Sequence, residues 1–409
     1  MKIKEISTIL TCPDRNYLIV KIVTDDGIIG YGDATLNGRE LSVKSVIDNY
    51  LSCWLNGRDA DSIEDIWQMV FRGTYWRGGP VLMTALAGID MALWDIKGKY
   101  YNAPVYSLLG GKCRKKLKAY FHVHGRTKEK LLERIYQRVS DGCKVIRYSF
   151  DTEDPLITGS YFCQPHQDID FGERIEVTGD AINYEKVWDS DSYAKDLVKI
   201  TGYIRENIGY DIGLIHDVHH RLTPIKAAGI AKSMEKYDLL FLEDPIDPIN
   251  KNGLKLIRNH STTPIGTGEI YNAVSDCLPL LENQLIDYLR VDISHFGGIS
   301  PLKKVSVLSE AFGVKTAFHG PSDISPIAHA AMAHVGFSIP NFGIQEHVYH
   351  GDKTFEIFSS GLTYKEGYLY IEDRPGIGVD VNEEIAYKYQ YKRNFLPILR
   401  DREGAVHNW

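Results

Sequence analysis

Three acids share one spacing. Asp217 in "LIHDVHH", Glu243 in "FLEDP" and Glu269 in "GTGEI" each follow a short apolar run, and successive members lie 26 residues apart. That interval is the length of one strand-plus-helix unit, so three consecutive units would deliver a carboxylate to the same rim. Carboxylates converging in a low-dielectric mouth repel and partly protonate unless a cation holds them. An all-oxygen set suits a hard ion such as Mg²⁺, whose remaining positions take water or substrate oxygens. Each acid taken alone is explained equally well as a cap on the helix after its strand. The matched spacing of all three favours the metal.

The first acid sits in a cluster, with His216, His219 and His220 around it. A zinc site built from the three histidines is the weaker reading, because neighbouring positions diverge and the partner acids favour a harder ion. If the strand continues through the cluster, alternation puts Asp217 and His219 on one face and His216 and Val218 on the other. His219 then enters the mouth with Asp217, either as an acid catalyst or as a group holding a carboxylate. His216 packs beneath the helices and His220 starts the loop. Arg290 in "YLRVD", His319 in "AFHGPSD" and Glu346 in "IQEH" occupy the same strand-end position further along.

These residues need a frame. "NYLIVKIVTDDGIIGYGDAT" reads as a strand, a turn at Asp25-Asp26-Gly27 and a second strand. Helical spacing of Leu82, Leu86, Ile89, Leu93 and Ile96 follows, so residues 1–112 read as a small α+β domain. From Leu117 short apolar runs alternate with amphipathic helical segments for at least seven beats. Near-continuously apolar strands are parallel and buried on both faces, and their regular alternation with helices indicates a (β/α) barrel over 113–350. Residues 351–409 would complete barrel and cap. The polar stretch 151–188 is too long for an ordinary connection and reads as a lid or an oligomer contact.

Composition narrows the rest. The chain has 409 residues, 44% hydrophobic and 25% charged, and its net charge of −7 is spread through both signs. No basic stripe points to nucleic acid. No secretory leader and no apolar run of membrane-spanning length appear, so neither membrane nor export is expected and the cytoplasm is the default address. Six cysteines without CxxC spacing read as thiols.

The helix "GIDMALWDIKGKYYNAPVYSLLGG" resembles the N-terminal signature of the enolase superfamily. "HDVHHRLTP", "LED", "STTPIGTGEIYN", "QLIDYLR", "HGPSD", "PNFGIQEH" and the terminal "NW" resemble its mannonate dehydratase branch, with similarity over nearly the whole chain. The resemblance implies an α/β fold, a modified (β/α)7β TIM barrel with an N-terminal α+β capping domain. It implies Mg²⁺ on Asp217, Glu243 and Glu269, and an acid-sugar pocket lined by Asn37, His122, Arg290, His319, Asp323, Glu346 and Trp409. A base dyad would pair Arg147 with a tyrosine on the loop after its strand, Tyr161, with Tyr148 the competitor. His219 would be the general acid. The implied reaction converts D-mannonate or D-gluconate to 2-keto-3-deoxy-gluconate, in a homo-oligomer of four or eight subunits. Pro321 departs from the pattern, since efficient members tend to carry Ala there. The alternative is therefore a low-turnover member acting as an acid-sugar binder or regulatory protein.

Overall fold

The computed structural model describes residues 1–73, 75–151, 185–393 and 398–408. Tyr161, Trp409 and most of the expected lid fall outside the described residues. In chain order the strands that matter here are β1 (Ile3–Thr11), β2 (Tyr17–Thr24), β3 (Ile29–Asp33), β4 (Leu117–Gly125), β5 (Val145–Phe150), β6 (Glu185–Val187), β7 (Gly213–Asp217), β8 (Phe241–Glu243), β9 (Ile265–Thr267), β10 (Tyr288–Leu289), β11 (Lys315–Phe318) and β12 (Phe342–Glu346). The fold is α/β: β4, β5 and β7 to β12 are the strands of a modified (β/α)7β barrel, and β1 to β3 belong to an N-terminal α+β domain. Among the described residues no helix is long and apolar enough to cross a membrane.

Two compact units divide the chain. The first comprises the described residues of Met1–Lys118, Glu269–Leu278 and Arg290–Asn394. Its antiparallel sheet β1-β2-β3 turns at the expected place, where Gly27 adopts φ +84° and its N–H bonds Thr24 O at 3.1 Å. Helix Pro80–Tyr100 lies directly on β3 because glycines clear the way. A Cβ on Gly32 would sit 1.9 Å from the Gly88 carbonyl oxygen, and one on Gly30 would sit 2.2 Å from that of Ala92. The helix is buried almost all round, including Asp90 and Asp95, so its apolar stripe understates its burial. Asp90 accepts from the N–H and hydroxyl of Ser300 at 3.0 and 2.5 Å. Burial nonetheless pushes its carboxyl up to about 7. The parallel pair β11 and β12 also belongs to this unit.

The second unit comprises the described residues of Ala119–Gly268, Pro279–Leu289 and Phe395–Trp409. Here β4, β5, β7, β8, β9 and β10 pair successively in parallel. All six residues of β5 and all three of β8 and of β9 are buried, as strands covered on both faces require.

Candidate functional site

Parallel register sets the group in the second unit. Across β4 and β5 His122 stands opposite Arg147, and across β7 and β8 Asp217 stands opposite Glu243. Arg147 ties these strands together. Its Nη1 lies 3.0 Å from His122 Nε2 and 3.4 Å from Glu243 Oε1, while its Nη2 bonds Asp217 Oδ2. Asp217, Glu243 and Asp244 are buried and each offers an oxygen, all within 4.8 Å of one another. Asp244 was no part of the spacing argument. Its place immediately after Glu243 was the available signal, and a left-handed backbone (φ +37°) turns it back toward the acids. Its Oδ1 accepts from Thr267 Oγ1 and its Oδ2 lies 3.7 Å from His220 Nε2. Three carboxylates gathered this closely repel unless cations offset them. As an all-oxygen donor set they fit a hard divalent ion.

Strand alternation does not extend through the histidine cluster. β7 ends at Asp217, and His219 and His220 follow with φ of +55° and +64°. Such left-handed conformations cost non-glycine residues roughly 1–2 kcal/mol each. They place the His219 N–H 2.6 Å from Asp217 Oδ1, so His219 is tied to the acid by a turn and not by strand phase. His216 does face the helices. Its Nδ1 donates to Tyr148 O at 3.0 Å and its Nε2 meets the Tyr193 hydroxyl at 2.6 Å. Burial drives its pKa down to about 3 and keeps it neutral. Tyr148 also points toward this layer, with its hydroxyl 2.6 Å from Thr201 Oγ1 and its phenol pushed up by burial. It packs on the side opposite Arg147, as alternation along β5 dictates.

The first unit holds the remaining strand-end residues. Arg290 Nη2 lies 3.2 Å from Glu346 Oε2 and 3.7 Å from Glu269 Oε2. His319 Nε2 lies 3.4 Å from Glu269 Oε2, and its Nδ1 is 2.8 Å from Asp292 Oδ2. Burial opposes charge on this imidazole, but Glu269, Glu346 and Asp292 outweigh it and push its pKa up to about 10. A charged ring so placed directs Nδ1–H to Asp292 and Nε2–H toward Glu269. Asp292 was overlooked in the sequence, although "RVD" puts it on the same alternation as Arg290 and it bridges to His319 across the strands. Asn37 Nδ2 donates to Asp323 Oδ2 at 2.8 Å.

The chain is similar to known proteins over its full length. Residues 5–110 match the mandelate racemase / muconate lactonizing enzyme N-terminal domain, and residues 176–385 match the enolase C-terminal domain-like family. A D-mannonate dehydratase from Caulobacter vibrioides is 46% identical over 409 residues, covering all of both chains. A D-galactonate dehydratase family member from Chromohalobacter salexigens is 43% identical with the same coverage. Among solved structures, an enolase from Pantoea ananatis with bound D-gluconate and Mg superposes with a TM-score of 0.89 at 40% identity. That match covers 100% of this chain and 99% of the other.

Proposed function

This chain belongs to the enolase superfamily, and from that membership we propose that it is a Mg²⁺-dependent acid-sugar dehydratase. The substrate is D-mannonate, D-gluconate or both, and the product is 2-keto-3-deoxy-gluconate. The observation that carries this reading is the pairing of Asp217 with Glu243 at the ends of adjacent parallel strands, buried and joined by Asp244. Among its relatives is the protein from Caulobacter vibrioides named a D-mannonate dehydratase, 46% identical throughout.

Asp217, Glu243 and Glu269 would hold the metal. The acids fit it by donor type, and Glu269 follows β9 by two residues at the same 26-residue spacing. When bound, a divalent ion supplies electrostatic stabilisation for charge developing on the substrate carboxylate. Arg147, held by His122 and Asp217, keeps Tyr161 as phenolate in this reading. Tyr161 takes the proton from C2. His219 gives a proton to the departing 3-hydroxyl, which leaves as water, and the resulting enol tautomerises to the 2-keto-3-deoxy acid. Asn37, His122, Arg290, His319, Asp323, Glu346 and Trp409 bind and orient the polyol.

The test is a panel of aldonic acids differing in configuration from C2 to C5, incubated with the protein and Mg²⁺ and assayed for 2-keto-3-deoxy acids. Product from D-mannonate or D-gluconate is expected. Product only from acids of other configuration would replace the substrate assignment.

A further inference from the structure

Segment 319–325 connects β11 to helix Pro326–Ser338 and carries His319 and Asp323. It has almost no regular structure, yet it is fastened from several directions. Gly320 N–H points to Glu346 Oε2 at 3.3 Å, Ile324 N–H bonds Pro321 O at 3.3 Å, and Ser325 N–H bonds Asp33 Oδ2 at 2.8 Å. Two further side-chain contacts fall on its carbonyls. His329 Nε2 lies 3.2 Å from Pro321 O, and the Tyr17 hydroxyl lies 3.4 Å from Ser322 O. Tyr17 Oη is also 3.2 Å from His350 Nδ1.

Carbonyl oxygens only accept, and this orients the two groups that face them. His329 carries its proton on Nε2 and donates to Pro321. Tyr17 donates to Ser322, and its oxygen also meets the His350 ring at Nδ1. His329 and His350 support each other edge to face, with centroids 5.1 Å apart at 80°. Tyr17 is wedged against Phe358 at 5.7 Å and 88°. Behind the two histidines is a cavity of about 240 Å³, lined also by His347, Tyr349, Tyr364 and Phe355. Tight packing does not hold this side of the rings, so directed hydrogen bonds fix the two peptide groups. Burial lowers the pKa of His329 and, further, that of His350, which favours the neutral rings.

We propose that Tyr17, His329 and His350 form a cradle that grips the Pro321 and Ser322 carbonyls and thereby sets the positions of His319 and Asp323 toward the acid sugar. They are positioning residues, remote from the reacting atoms. The claim rests on the functional reading above for its substrate, but the cradle itself is structural and can be tested without turnover.

The experiment uses the full chain and two readouts, amide exchange at Ile324 and Ser325 by mass spectrometry and steady-state kinetics with D-mannonate and D-gluconate. Tyr17→Phe keeps the ring and removes the donor, and His329→Leu removes the other. Each is expected to speed exchange about tenfold and to raise KM about tenfold while kcat stays within about threefold, the scale of one lost hydrogen bond. His329→Gln, whose side-chain amide can still donate, is expected within about threefold of wild type in both readouts. Unchanged exchange in Tyr17→Phe and His329→Leu overturns the cradle, as does equal loss in Leu and Gln variants. Faster exchange in Tyr17→Phe, with a wild type that dehydrates no aldonic acid, upholds the cradle and overturns the functional reading.

Discussion

Asp217 and Glu243 are register partners, the last residues of two adjacent parallel strands, and a single arginine reaches both. Neither strand is more than five residues long, so their ends are set by where β7 turns into His219 and β8 into the left-handed Asp244. The pairing converts an even spacing in the sequence into two carboxylates side by side.

Arg147→Met removes the guanidinium from between these acids and leaves buried charges facing each other. In metal-free protein we expect a loss of stability of about 3–5 kcal/mol, the cost of breaking a buried pair. Saturating Mg²⁺ should recover a large part of it, because the ion supplies the missing positive charge. Urea titrations with and without Mg²⁺ measure this directly. Equal losses in both conditions would show that the arginine and the ion do not share the acids.

Asp292→Asn removes the carboxylate that receives His319 Nδ1–H, one of three that hold this imidazole charged up to about 10. In metal-free protein the titration midpoint of His319, followed by NMR of the ring, should fall by at least about one unit, the effect of losing a close opposite charge. An unmoved midpoint would assign the charge to Glu269 and Glu346 alone.

His334 is a buried histidine outside the acid groups. Tyr106 N–H donates to its Nδ1 at 3.0 Å and its Nε2–H donates to Ile377 O at 3.0 Å, so both nitrogens are committed in the neutral form. Burial lowers its pKa from 6.5 to about 4. A base with a depressed folded pKa contributes stability that is complete above the unfolded value and fades as pH falls from 6.5 toward 4. The contribution is roughly 3 kcal/mol by linkage. Urea midpoints across pH 4–8 should therefore decline toward acid more steeply in wild type than in His334→Gln. Parallel curves would contradict the assignment.

Two glycines should respond in opposite directions. Gly32→Ala drives a methyl to 1.9 Å from the Gly88 carbonyl and should cost about 3 kcal/mol or more, or prevent folding. Gly229, inside helix Pro224–Met234, has nothing within 4 Å of an added Cβ. Gly229→Ala should raise stability by about 0.5–1 kcal/mol through helix propensity. Thermal unfolding of both variants is the check.

Much of the barrel was legible because strands buried on both faces leave apolar runs, and "LLFLE" ending β8 is such a run. The acids were legible because a repeating unit repeats its strand ends. What escaped depends on backbone conformation and on the partner across the sheet. Alternation could not anticipate that β7 stops at Asp217, since the left-handed His219 and His220 show no glycine or proline to announce them. Asp244 and Asp292 were missed because each acquires its meaning from a contact, Thr267 for one and His319 for the other. Asp90 sits on an apolar helix and is kept there by Ser300, 210 residues away.

The most direct test is a Mg²⁺ titration of product formation from D-mannonate and D-gluconate with wild type and with Glu243→Gln. Saturable, Mg²⁺-dependent release of 2-keto-3-deoxy-gluconate by wild type is predicted, with neither ion binding nor product in the variant. A Glu243→Gln protein with the wild-type Mg²⁺ dependence and rate would contradict the account.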